Sequence, residues 1–92
     1  MESGEQPLNA VFRALADPTR RRLYLSIASE PGLSTAQLSS AVAGMTRWGV
    51  MKHLEVLRAA GLIQTFPEGR HRRHYAEPAA LAPLRGWLEA NG

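Results

Sequence analysis

Residues Thr46–Ile63 read TRWGVMKHLEVLRAAGLI, and Glu68–Tyr75 read EGRHRRHY. In the first stretch Val50, Leu54 and Leu57 recur at spacings of four and three, the mark of one buried helix face. Thr46 is suited to cap the start of that helix and Gly61 to end it. At about 100° per residue, Trp48, Lys52 and Glu55 fall on the opposite side, with Arg47 in the first turn. Leu62–Phe66 is strand-like, Pro67-Glu68-Gly69 supplies a turn, and Arg70–Ala76 returns as a second strand rich in cations. A helix followed by a basic β-hairpin can enter a DNA major groove while the hairpin holds the backbone beside it.

The segment upstream supplies the other half of that device. Leu33-Ser34-Thr35-Ala36-Gln37-Leu38 carries a capping box: Ser34 can accept from the Gln37 amide, and the Gln37 side chain can reach back. Leu33 is placed to staple onto Leu38. The short helix that follows turns Leu38 and Val42 inward and stops at Gly44, so two helices are joined by a turn containing glycine. Further back, Leu8, Val11, Phe12, Leu15 and Ala16 form a helical stripe, which Asp17-Pro18 ends while starting another helix. Arg20, Arg21 and Arg22 crowd the first turns of that second helix, where cations oppose the helix dipole. Either a solvated face or contact with phosphates or a partner accounts for them. After the hairpin, Ala79–Ala90 forms a last helix with Leu81, Leu84 and Leu88 on one side and Trp87 adjacent; Pro83 either kinks it or begins its regular part. The expected fold is mostly α with a small β-hairpin: a winged helix-turn-helix of five helices and a two-stranded wing. Residues 1–7 are expected as a disordered tail, and 8–92 as one DNA-binding domain with terminal dimerisation helices.

Composition agrees with this architecture. Ninety-two residues with 45% apolar and 21% charged side chains suit one small domain with a modest core. The net charge is only +3, but Thr46–His74 holds six Lys/Arg against two Glu, so that segment alone is +4. A cationic face on a near-neutral remainder draws phosphates to one side of a molecule. There is no cysteine, so neither disulfides nor thiolate metal sites exist. Nothing in Met1–Gln6 resembles a signal peptide, and no segment approaches the roughly 20 apolar residues of a membrane span. A cytoplasmic protein without membrane contact is expected. No Ser/His/Asp grouping, Gly-rich phosphate loop or carboxylate pair suggests an enzyme.

Within the reading face, Arg47 can bond bidentately to guanine, and Lys52 can reach guanine or phosphate. Thr46 and the free amides of the first turn can hold a phosphate. Gly49 costs roughly 1 kcal/mol inside a helix relative to Ala, which points to a close approach of backbone to DNA or to the preceding helix. Trp48 has two readings: on thymine methyls, or folded back over the turn to complete the core. His53 is expected as a partly buried packing residue, Glu55 and Arg58 as an exposed ion pair, and Tyr75 as packing inward. On the wing, Arg70, His71, Arg72 and Arg73 can contact phosphates or a narrow minor groove. His71 and His74 are three apart on a strand and point to opposite faces, so no metal site and no cofactor are expected.

These residues resemble the ArsR/SmtB-type repressors. Val11–Leu23 (VFRALADPTRRRL) is similar to the family's opening, Met51–Ile63 (MKHLEVLRAAGLI) to its recognition helix, and Glu68-Gly69-Arg70 with Tyr75 to its wing. The resemblance covers Leu8–Leu88. It implies a homodimeric repressor bound to double-stranded DNA at a palindromic operator, with the first and last helices forming the interface through Leu8, Val11, Phe12, Leu15, Leu81, Leu84, Trp87 and Leu88. It maps the family's DNA contacts onto Thr46, Arg47, Trp48, Gly49 and Lys52, and its wing contacts onto Arg70–Arg73. The chain departs from the pattern at Trp48, Gly49 and Met51, where small polar residues are usual. The metal-sensing cysteines are replaced by Ser39, Ser40 and Ala41, and the C-terminal ligands of zinc-sensing members have no clear equivalents between Leu81 and Asn91. Two other readings fit the same fold: a winged-helix protein-interaction module, or a repressor whose small-molecule effector lodges between the dimer helices.

Overall fold

A computed structural model of the chain describes residues 5–92. Helix α1 (Glu5–Leu15) and α2 (Pro18–Ser29) are followed by strand β1 (Leu33–Ser34), α3 (Thr35–Ala41), α4 (Arg47–Ala59), β2 (Ile63–Glu68), β3 (His71–Ala76) and α5 (Ala82–Asn91), the last preceded by one 3-10 turn at Pro78–Leu81. The tail expected over residues 1–7 lies outside the described residues as far as residue 4. Residues 5–7 already belong to α1, where Pro7 sits in a first turn whose amides need no intrahelical acceptor. Pro83 begins α5 instead of kinking it.

Local signals set most boundaries. Asp17 caps α2 by accepting from the Arg20 amide (3.1 Å), and that bond holds the Asp17 carboxyl below its usual pKa. Ser34 and Gln37 make both bonds of the capping box, and Thr46 caps α4 through the Gly49 amide (3.0 Å). Gly61, with φ 78°, takes the left-handed position that ends α4. Every helix start near the reading face therefore has a partner for one of its orphan amides.

The sheet has three antiparallel strands in the order β1-β3-β2. The hairpin turn is Gly69-Arg70, since Glu68 already pairs with His71 and Pro67 with Arg72. This corrects the expected Pro67-Glu68-Gly69 turn. Gly69 has φ 62° and Arg70 does not have a positive φ, which is the II′ pattern that matches strand twist. β1, absent from the expected two-stranded wing, pairs Leu33 with His74 and Ser34 with Arg73. It ties the start of α3 to the base of the wing.

One core joins all these parts. Val11 and Ala14 of α1, Leu23, Tyr24 and Ile27 of α2, Leu38 and Val42, Val50, Leu54 and Leu57 of α4, and Leu62 and Ile63 entering β2 are buried together. Each such side chain contributes about 1.5–3 kcal/mol on burial, so the orientation of α4 is held by its three inward residues. α1 and α2 are further joined by arginine. Arg20 Nε donates to the Ala14 carbonyl (2.6 Å), its Nη2 to the Arg13 carbonyl (3.2 Å), and Arg21 Nη1 to the Leu15 carbonyl (2.6 Å). Two of the three crowded arginines thus cap the carbonyl end of the preceding helix, where a cation is favoured. That role was not among those expected for them.

Candidate nucleic-acid interface

The outward face of α4 is built by the same periodicity that buries Val50, Leu54 and Leu57. Arg47 and Lys52 are exposed, and Trp48 is 68% exposed. The reading in which Trp48 completes the core is excluded: Met45 packs against the core beside the helix start, leaving the indole to point outward. Lys52 Nζ lies 5.4 Å from the indole centroid, a cation–π contact. The same ammonium is 3.6 Å from Glu55. Glu55 therefore pairs with Lys52 and not with Arg58 as expected. A flat apolar ring, an ammonium and a carboxylate line up along one ridge of the helix.

Gly49 is explained by packing. A Cβ there would lie 3.1 Å from Met45 Cγ and 3.4 Å from Thr46 Oγ1, so the close approach is to the turn before α4. Its amide is engaged by Thr46, while the Thr46 hydroxyl hydrogen remains free to donate to a phosphate oxygen. Half-buried His53 meets Arg20 Nη1 through its Nδ1 (3.2 Å), the packing role expected for it.

On the wing the pleat sorts the cations. Arg70, His71 and Arg72 are exposed. Arg73 is held by Glu68 and by the Gly32 carbonyl (3.2 Å), which makes it a strut between the hairpin and the turn after α2. Its guanidinium is thereby committed within the fold, unlike those of Arg70 and Arg72. Tyr75 lies on the same outer face as Arg73, half-exposed, with its ring edge-on to Phe66 at 5.9 Å. It does not pack inward. His74 does, and the sequence reading missed it: the ring is only 3% exposed. Its Nε2 bonds Thr35 Oγ1 (2.8 Å) and its Nδ1 bonds Thr65 Oγ1 (2.9 Å). Burial is the main reason its pKa is lowered, with Arg72 and Arg58 adding to the effect. The alternation of an exposed and a buried histidine was visible in the spacing. The two threonine partners, 39 and 9 residues away, were not.

The sequence pattern described as a helix-turn-helix domain matches residues 15–65. The transcriptional regulator CmtR of Mycobacterium bovis is 38% identical over 90 residues, 95% of this chain and 72% of that protein. The arsenic resistance regulator ArsR1 of Pseudomonas putida is 35% identical over 85 residues, 88% of this chain and 66% of that one. A crystal structure of an ArsR family transcriptional regulator superposes with a TM-score of 0.85 at 31% identity, over 94% of this chain and 87% of the other. The chain belongs to the ArsR/SmtB-type family. It is a DNA-binding transcriptional regulator and not an enzyme.

The terminal helices of this regulator divide the expected interface residues into two groups. Val11 is buried in the protomer's own core, and Leu15, Leu81 and Leu84 pack partly against it. Val11 therefore has no surface to offer a partner. Leu8 is half-buried. Phe12, Trp87 and Leu88 are 42%, 46% and 52% exposed, and the Phe12 and Trp87 rings meet edge to face at 5.8 Å. Among the described residues, no group of three or more His, Cys, Asp or Glu is placed to hold a metal ion, and no helix is long and apolar enough to cross a membrane.

Proposed function

We propose that the regulator acts in the cytoplasm as a homodimeric repressor on a palindromic operator. Residues 8–92 form one reading unit per protomer. Arg47, Trp48 and Lys52 of α4 enter the major groove, Thr46 holds a phosphate at the helix start, and Arg70, His71 and Arg72 of the wing hold backbone. The observation that carries this reading is the outer face of α4, where an exposed indole and two cations have no structural duty toward the core. Dimerisation is supported by the joined patch of Phe12, Trp87 and Leu88 on α1 and α5, since a symmetric reader needs two recognition helices about one DNA turn apart. Selection of bound fragments from random DNA tests the proposal. A twofold-symmetric consensus bound by a species of twice the chain mass is expected. Retention of no particular sequence, with DNA mobility unchanged, would favour a protein-interaction module.

A further inference from the structure

Between α4 and the inner face of the hairpin lies an open cleft of about 140 Å³. Met51 and Leu54 supply its apolar wall, His74 its base, and Arg58 and Arg72 approach it from the helix and from the wing. The base offers no vacant ring nitrogen, because both nitrogens of His74 are bonded to threonines. Glu55 also lines the cleft, but its carboxylate is paired with Lys52. Arg58 and Arg72 have no carboxylate partner among the described residues. Both lie near enough to His74 to disfavour its protonation. Two unpaired guanidinium groups from different elements therefore face one small, partly apolar space.

That combination has a chemical meaning. A guanidinium fork matches a carboxylate, and an open cleft of about 140 Å³ with Met51 and Leu54 on its apolar side has room for an apolar body of about one ring. A bare inorganic anion would satisfy the arginines but leave Met51 and Leu54 uncovered. We infer that this cleft binds a small organic monocarboxylate with an apolar body, about the size of benzoate, in competition with DNA. The ligand's charge occupies Arg72, a wing residue that the proposed function assigns to DNA backbone, so the two partners oppose each other reciprocally. The competition rests on that proposed function; binding to the protein alone does not.

The probe is benzoate, titrated into the full-length protein and followed by backbone amide shifts, with inorganic phosphate in parallel at constant ionic strength. Saturable shifts confined to Thr35, Met51–Arg58 and Thr65–His74 are expected, with half-saturation below about 10 mM for so small a ligand and phosphate at least tenfold weaker. Arg58→Ala should weaken benzoate about tenfold while leaving the rest of the spectrum in place. In a second arm, saturating benzoate should lower affinity for selected DNA, and Arg58→Ala should blunt that response. Shifts that do not saturate, or that map to α1 and α5, overturn the site. Phosphate binding as tightly as benzoate also overturns it, marking the cleft as a seat for a DNA phosphate. Unchanged DNA affinity with benzoate bound overturns the competition. Absence of any DNA binding in the ligand-free protein would instead defeat the proposed function and leave the site standing.

Discussion

Replacing His74 tests whether one buried ring fastens the wing to the helix-turn-helix. His74→Leu fills the site with an apolar side chain of similar reach and removes two hydrogen bonds, to Thr35 (2.8 Å) and Thr65 (2.9 Å). Each is worth about 0.5–1.5 kcal/mol net, and a buried hydroxyl left without a partner costs about 1–3 kcal/mol. Thr35 is buried and Thr65 half-buried, so only Thr35 bears the full penalty. A loss of about 2–4 kcal/mol is expected in urea unfolding at fixed protomer concentration. Adding Thr35→Val should recover about 1 kcal/mol, because removing both partners of a buried bond is nearly neutral. The pH dependence carries a second sign. The pKa of folded His74 is lowered from its ordinary value, so the unfolded chain binds its proton first. Stability from this group is complete above about pH 6.5 and is lost as pH falls through the folded value, at up to about 1.4 kcal/mol per pH unit. His74→Leu should lack that component, so wild type and variant should converge between pH 7.5 and 5. A cost below about 1 kcal/mol, or a constant difference across that range, would refute the reasoning.

The remaining tests concern the interface. Arg47→Ala should cost about 1–3 kcal/mol on selected DNA and much less on random DNA; equal losses in fluorescence anisotropy would remove Arg47 from base reading. Arg72→Ala should flatten the salt dependence by about one unit per lost phosphate contact, whereas Arg73→Ala should lower the melting temperature and leave that slope unchanged. Trp48 is expected to lie on a thymine methyl. Replacing thymine by uracil at one selected position should then weaken the wild type and leave Trp48→Ala indifferent, and a wild type blind to every such replacement rules that out. Phe12→Glu or Leu88→Glu should halve the mass seen by light scattering and reduce operator affinity, and a monomer binding DNA at full strength would sink the dimer.

What the sequence disclosed was local. Thr46, Ser34 with Gln37, Asp17-Pro18 and Gly61 each act within three or four residues, and all of them end or start a helix where expected. The inward stripe of α4 was equally legible, because burying Val50, Leu54 and Leu57 needs only the helical period. Features that join distant segments left no such trace. β1 is two residues long, and its partners His74 and Arg73 lie about 40 residues further along the chain, where they also pair with β2. Arg20 and Arg21 look surplus at the start of α2, and their partners are carbonyls six and seven residues back in another helix. Trp48 was ambiguous because an apolar ring at a helix start suits a core or a groove equally, and Met45 took the core position.

The wing shows how the pleat changes the functional reading. Read along the chain, Arg70–Arg73 forms one basic run, yet neighbouring strand positions point to opposite faces wherever the turn is placed. With Gly69 leading a II′ turn, Pro67 is left in β2, an edge strand of the order β1-β3-β2 where a missing amide is tolerated. β3 then begins at His71, and side chains alternate from there. Arg72, His74 and Ala76 face α4 and the core, while His71, Arg73 and Tyr75 face away. One run of cations is thereby divided among three duties. Arg70 stands at the tip, Arg72 faces the cleft shared with Arg58, and Arg73 is tied to Glu68 and Gly32. Charge counted along the chain overstates what the wing can offer DNA, because the pleat assigns each arginine to a side before any partner arrives.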